Sequence, residues 1–280
     1  MRPIRTCESA QLNTGVSKCF LDMGKVKGAI LVPRGVKLPA ELTGEKLLEL
    51  CHEDVGARVF PIAPFTEYAK TGGEVQANEN GYGGVSASGV SARTDALTLD
   101  KFYPELNAAL LRSMNQPFDV YYWDESNVLY GINDGTDLLA GFPMSTVYPT
   151  AVPHPTSSEA ASLIVNFAFE DARESMEKLD FVKLSFNPRN YAKGLTLVEL
   201  VKAGDAGDEY KLLEKIGGYD LTSTYGSLLA DNPELVSGAT AVTYDEDKNT
   251  LTLTVDSGAT PRLKSPKLLF EAGIEGIEQL

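Results

Sequence analysis

The sequence predicts a mainly β fold with a minor helical share, in two parts divided near residue 192. Three observations carry that prediction. Apolar and polar residues alternate at strand spacing in several short runs, clearest in Leu163-Ile164-Val165-Asn166-Phe167-Ala168-Phe169. Two pairs of such runs are joined by short polar turns. Only one long segment has a helical period. With 280 residues, 43% of them hydrophobic, the chain can bury a sizeable core.

Residues 1–25 are polar and irregular and read as an N-terminal arm. Residues 26–32 form a strand, stopped by Pro33-Arg34-Gly35. Leu42, Leu47, Leu48 and Cys51 have the spacing of a short amphipathic helix over 41–53. Residues 59–65 return to strand character, and Pro61 and Pro64 place that strand at an edge or bulge. Residues 70–94 are rich in Gly, Ser, Ala and Asn and can hardly bury a core. A loop of that length inside a compact domain usually has a task or is disordered. We expect an extended hairpin or loop that orders against a neighbouring subunit through Gly72, Gly73, Asn80, Gly81, Tyr82, Gly83, Gly84 and Gly89.

The long helical segment is 99–114, with Leu99, Phe102, Leu106, Leu110 and Met114 on one stripe; Pro104 suggests that its regular part starts near Tyr103. A hairpin follows: 118–123, the turn Asp124-Glu125-Ser126-Asn127, then 128–132. Further strands are expected at 138–148, 160–170 and 181–186. Residues 188–194 read as a linker. Beyond it, 195–202 opens a smaller unit whose clearest element is the hairpin 240–244 and 250–255. Ser265-Pro266 starts a last short helix, and Gly273 ends it.

The chemistry-bearing residues are few. There are two histidines, His52 and His154, and neither lies in an HxxxH or HExxH setting. Cys51 and His52 are adjacent on a helix, where their side chains diverge by about 100° and do not face each other. Cys7, Cys19 and Cys51 are an odd set with wide spacing and are expected as reduced thiols. No phosphate-binding loop occurs, since Gly44 is followed by Glu45-Lys46-Leu47. Asp245, Asp247 and Asn249 resemble the start of a calcium loop but lack glycine at its sixth position, Thr250; a polar hairpin turn and a calcium site both stay open. Phe118, Tyr121, Tyr122, Trp123 and Tyr130 are either core or a sugar platform. No catalytic set, metal site or cofactor is expected, and the chain is read as a structural protein and not an enzyme.

The net charge is −14, shared evenly: residues 1–190 carry 24 acids and 17 bases, residues 191–280 carry 15 and 8. Such a surface does not grip nucleic acid or an anionic membrane. It suits solubility, or a surface over which DNA passes without sticking. The start, Met1-Arg2-Pro3-Ile4-Arg5-Thr6, has no apolar core behind it and is not expected to be a secretory signal. No apolar run approaches a membrane span. We expect a soluble chain that is cytosolic when made.

The order of these features resembles the major tail or tail-tube proteins of tailed bacteriophages. Val26-Lys27-Gly28-Ala29-Ile30-Leu31-Val32-Pro33-Arg34-Gly35, Asp119-Val120-Tyr121-Tyr122-Trp123 with Asn127-Val128-Leu129-Tyr130-Gly131, and the end from Ser265-Pro266 to Gly273-Ile274-Glu275-Gly276 look like segments of phage virion proteins. The resemblance covers the layout of the whole chain. It implies a tail-tube-like β-barrel or sandwich body with one packed helix over 1–191, and a small C-terminal β-rich, Ig-like decoration module over 192–280. It implies homo-oligomeric rings, usually hexamers, stacked into a tube in the virion. Their partners are copies of the chain, other tail proteins, and phage DNA in passage. A capsid decoration or head–tail connector protein is one alternative; a carbohydrate-binding or carbohydrate-active protein is another, of a different class.

Overall fold

The computed structural model describes residues 23–79, 81–151, 154–155, 157, 160–204 and 207–280, so the expected N-terminal arm, Cys7 and Cys19 lie almost wholly outside the described residues. The chain divides into two compact units. One runs up to Gly44 and includes Pro61–Tyr103 and Asn107–Tyr191; the other holds Glu45–Phe60, Pro104–Leu106 and Ala192–Leu280. The fold is mainly β.

The first elements in the chain are β1 (Val26–Pro33), α1 (Gly44–His52), β2 (Phe60–Ile62), β3 (Phe65–Gly72), β4 (Val75–Glu79), β5 (Val85–Val90) and β6 (Arg93–Leu99). Then come α2 (Pro104–Ser113), β7 (Phe118–Asp124), β8 (Val128–Ile132), β9 (Phe142–Pro149), β10 (Ile164–Phe169), α3 (Ala172–Glu177) and β11 (Leu179–Lys183). Nine of these strands form one sheet in the order β11-β8-β7-β9-β10-β6-β3, with β1 and β2 branching from β7. The sheet curls into a half-barrel.

β7 is the hub of that sheet. β1 runs antiparallel along its whole length, with Ala29 opposite Tyr122 and Leu31 opposite Val120. On the other side its end pairs with β8 and its start with β9. Every residue of β7 and β8 is buried. Gly28 is required where β1 crosses Trp123, because a Cβ there would sit 2.1 Å from the indole ring. Leu163, just before β10, and Val165 and Phe167 within it are fully buried as the sequence predicts, although Asn166 between them is buried as well. Phe167 meets Phe65 and Tyr122 edge-on at 6.3 and 5.6 Å between centroids.

Two expectations for this unit need correction. Leu99 and Phe102 are not part of a helix: Leu99 ends β6 as a buried strand residue, and α2 begins at Pro104 after Tyr103. Strand alternation of Asp95, Leu97 and Leu99 overrides the helical stripe read through Leu99. The strand expected over 59–65 is divided, with β2 and β3 on either side of a cis Ala63–Pro64 bond. α3, whose Asp171 carboxylate accepts from the Glu174 amide at 2.9 Å, was not anticipated.

The second unit continues with β12 (Thr196–Lys202), β13 (Glu209–Glu214), α4 (Thr222–Asp231), β14 (Val236–Ser237), β15 (Ala239–Asp245), β16 (Thr250–Val255), β17 (Arg262–Leu263), α5 (Pro266–Glu271) and β18 (Ile277–Glu278). Five strands pair in the order β15-β16-β13-β12-β18, and β14 pairs with β17. Leu212, Leu229, Leu251, Leu253, Leu269 and Ile274 make its core, each fully buried. β12 and β18 run parallel, and α4 and α5 contribute to the core. This differs from the two stacked antiparallel sheets of an Ig-like module. Gly226 lets α4 lie against Tyr244, whose ring would meet an added Cβ at 2.4 Å.

Candidate assembly surface

β3 closes one end of the nine-stranded sheet and pairs along one side with β6, from Phe65 opposite Leu99 to Gly72 opposite Arg93. Beyond that ladder the chain continues as a separate two-stranded ribbon, β4 with β5. The ribbon is exposed along its whole length apart from the half-buried Val90. Its apolar side chains are in solvent: Val75 is 59% exposed, Val85 68%, and Tyr82 at the tip is fully exposed. A two-stranded ribbon is marginal in water on its own. An exposed edge strand is also a template for pairing.

The residues expected to touch a neighbour fall on this ribbon. Gly72 and Gly73 form its root, with φ of +71° and +73°. At Gly72 a Cβ would lie 1.8 Å from the Ala92 carbonyl oxygen, so no other residue fits there. Gly81, Tyr82, Gly83 and Gly84 form the tip, and Gly89 sits in β5 beside a bulge opposite Gln76. Asn80 lies outside the described residues.

Backbone bonds and one ion pair hold the root. Ser91 donates its amide to Glu74 O at 3.0 Å, and Gly73 donates to Ala92 O at 3.3 Å. Next to them Arg93 grips Asp95 with two bonds, Nε to Oδ1 at 2.9 Å and Nη2 to Oδ2 at 2.7 Å. Arg93 also donates to the Tyr68 hydroxyl at 3.2 Å and lies 4.4 Å above the Phe169 ring. Asp95 is fully buried. Burial pushes its carboxyl up, and the Arg93 guanidinium pulls against that shift. The signal that was there to be read is the alternation itself, which puts Asp95 on the face of Leu97 and Leu99.

Phe118, Tyr121, Tyr122, Trp123 and Tyr130 are all buried, so the aromatic hairpin offers no ring face to a sugar. Asp124 accepts from Tyr130 Oη at 2.5 Å and from the amides of Gly24, Ser126 and Val128 at 2.8–2.9 Å. Burial acts against its charge, but those four donors win and hold its carboxyl below the usual range. Arg34 places Nε 2.8 Å from Asp119 and donates to Met144 O at 2.6 Å. A cleft of about 200 Å³ is lined by Leu38, Leu129, Leu138, Val182 and Leu184. The Tyr121 hydroxyl in its wall is already bonded to Leu139 O at 3.1 Å.

The Asp245–Asn249 turn is closed by Asp245 Oδ1, which accepts from the Lys248 amide at 3.1 Å. The Lys248 ammonium lies 3.8 Å from Asp245 Oδ2, and Asn249 takes φ of +51°. These are the features of a polar hairpin turn. Among the described residues no three His, Cys, Asp or Glu side chains are grouped to hold a metal ion, and no helix is long and apolar enough to cross a membrane.

No known protein family matches the chain, and no curated protein does. Among solved structures, the chain has a slight similarity to the tube-terminating cap of the anti-feeding prophage, determined by cryo-electron microscopy. The TM-score is 0.28 at 10% identity, over 61% of this chain and 98% of the cap chain. A likeness that slight carries neither a fold nor a role.

Proposed function

We propose that this chain is a non-enzymatic virion structural protein of a tailed phage, and that copies of it assemble into rings stacked as a tail tube for DNA passage. The observation that carries this reading is the β4–β5 ribbon. It presents Val75, Tyr82 and Val85 to solvent from a root fixed by Gly72, Gly73 and the Arg93–Asp95 pair. Exposed valine and tyrosine side chains on a projecting ribbon suit a surface that receives them. β3, at the end of the curled sheet, gives a second edge for joining subunits. The charge of −14 suits a lumen that DNA crosses without binding.

Purified protein viewed by negative-stain microscopy at neutral pH should give rings or tubes. Replacing 75–90 by a short Gly-Ser turn should leave folded, unassembled subunits. Monomers at every concentration and salt would overturn the reading. Closed assemblies that never stack would favour a capsid decoration or connector role instead.

A further inference from the structure

In the second unit, His52 stands at the end of α1 and is only 1% exposed. Both ring nitrogens are engaged. Nδ1 lies 2.8 Å from Leu48 O, so it carries the proton and donates. Nε2 lies 3.0 Å from the Gly276 amide nitrogen, so it is bare and accepts. The ring also stacks on Phe270 of α5, with centroids 4.5 Å apart. One neutral tautomer satisfies all of this.

Gly276 sits where the C-terminal segment turns, with φ of +80°. Its carbonyl oxygen accepts from the Thr196 amide at 2.8 Å, and the next two residues form β18 against β12. Tyr225 donates to Glu275 O at 3.0 Å. Glu278 takes two 2.8 Å bonds from Arg58. β18 therefore covers the outer edge of β12 at Thr196 and Leu197, and His52 holds the residue that leads into it.

We infer that His52 is an acid-sensitive latch whose protonation loosens the 274–280 segment and uncovers the edge of β12. A proton on Nε2 would turn the Gly276 contact into two donors facing each other, and would put a charge into a buried stack. The charged groups around the ring are Arg58 and Lys193, which oppose a second positive charge, and Glu275, which favours it. The neighbouring Cys51 thiol, pushed up to about 12 by burial, stays neutral throughout. Burial is the largest influence on His52 and lowers its affinity for protons. The latch contribution is therefore complete above the ordinary histidine value of 6.5 and is lost as pH falls below it toward the lower folded value.

The test is amide hydrogen exchange of the full chain, read by mass spectrometry on peptides covering 264–280 and corrected for the intrinsic effect of pH. Between about pH 7.5 and pH 5, protection of this segment should fall roughly tenfold. His52→Gln can still donate to Leu48 O and accept from Gly276 without titrating, and its protection should stay flat. A flat wild-type profile, or the same fall in His52→Gln, overturns the latch. Should that variant not fold, the wild type still decides. The chain has two histidines, and His154 is exposed. Comparing wild type with His154→Gln by NMR assigns the His52 titration. A value well below 6.5 that coincides with the fall in protection sustains the proposal, and an ordinary value ends it.

Discussion

β7–β8 and β4–β5 are both antiparallel ribbons within one unit, and they have opposite fates. Every side chain of β7 and β8 is buried, while β4 and all of β5 except Val90 are exposed. Both pair antiparallel, β4–β5 with a bulge; composition separates them. β7 brings Phe118, Val120, Tyr121, Tyr122 and Trp123 to the centre of a sheet with partners on both sides. β4 and β5 bring Gln, Asn, Ser, Ala and Gly, which have little apolar area to hide. One ribbon is held by its own chain. The other leaves Val75, Tyr82 and Val85 in solvent.

The largest effect should come from breaking the inner ribbon. Trp123→Ala removes a side chain that is 1% exposed and packed on Gly28, and should cost about 4 kcal/mol. Urea unfolding would show this as a lower midpoint. If the variant instead keeps its stability and loses binding on a glycan array, the ring is a ligand platform and not core.

That contrast also marks what could be read from residues alone. β7, β8 and the β15–β16 hairpin were legible because aromatic or alternating runs flank turns whose residues accept positive φ, Asn127 at +61° and Asn249 at +51°. The ribbon over 75–90 was legible as a projecting element from its composition. β13 and α4 were not. Glu209–Glu214 mixes Lys, Leu and Tyr without a clear period, and Thr222–Asp231 carries Gly226 mid-helix with no strong apolar stripe. α4 is made by packing: Thr222 Oγ accepts from the Leu212 amide at 2.9 Å, and Gly226 meets Tyr244. The latch at His52 was equally hidden, because its partner Gly276 is 224 positions away.

The next effect acts at the root between the two ribbons. Asp95→Ala leaves the Arg93 guanidinium, about one-fifth exposed, without its carboxylate, and should cost about 3 kcal/mol. Arg93→Met with Asp95→Leu should recover most of that loss, since an apolar pair of similar volume suits the same site. Thermal unfolding of the single and double variants checks both statements. If Asp95→Ala is neutral, the root is not anchored by this pair.

Tyr130→Phe tests the inner turn more gently. It removes one charge-assisted bond to Asp124 and should cost about 2 kcal/mol at neutral pH. It also has a pH signature. Asp124 is held below the ordinary carboxylate value, so its contribution is present above that value and is lost as pH falls through the folded one. Losing the Tyr130 donor moves the folded value upward. Acid unfolding followed by circular dichroism should then begin at a higher pH than in the wild type.

The smallest effect on stability should be the most informative about the outer ribbon. Tyr82 is fully exposed. Tyr82→Ser should change the unfolding free energy by less than about 0.5 kcal/mol, as surface replacements do. Its consequence should appear between molecules. An aromatic side chain at the tip of a projecting ribbon is the kind of group that carries binding energy once a partner buries it. Sedimentation velocity across a concentration series should show assembly displaced to higher concentration in the variant. If assembly is unchanged and stability falls, Tyr82 packs on its own chain in solution. The two ribbons would then differ in degree only, and the case for an outside partner would fall back on β3.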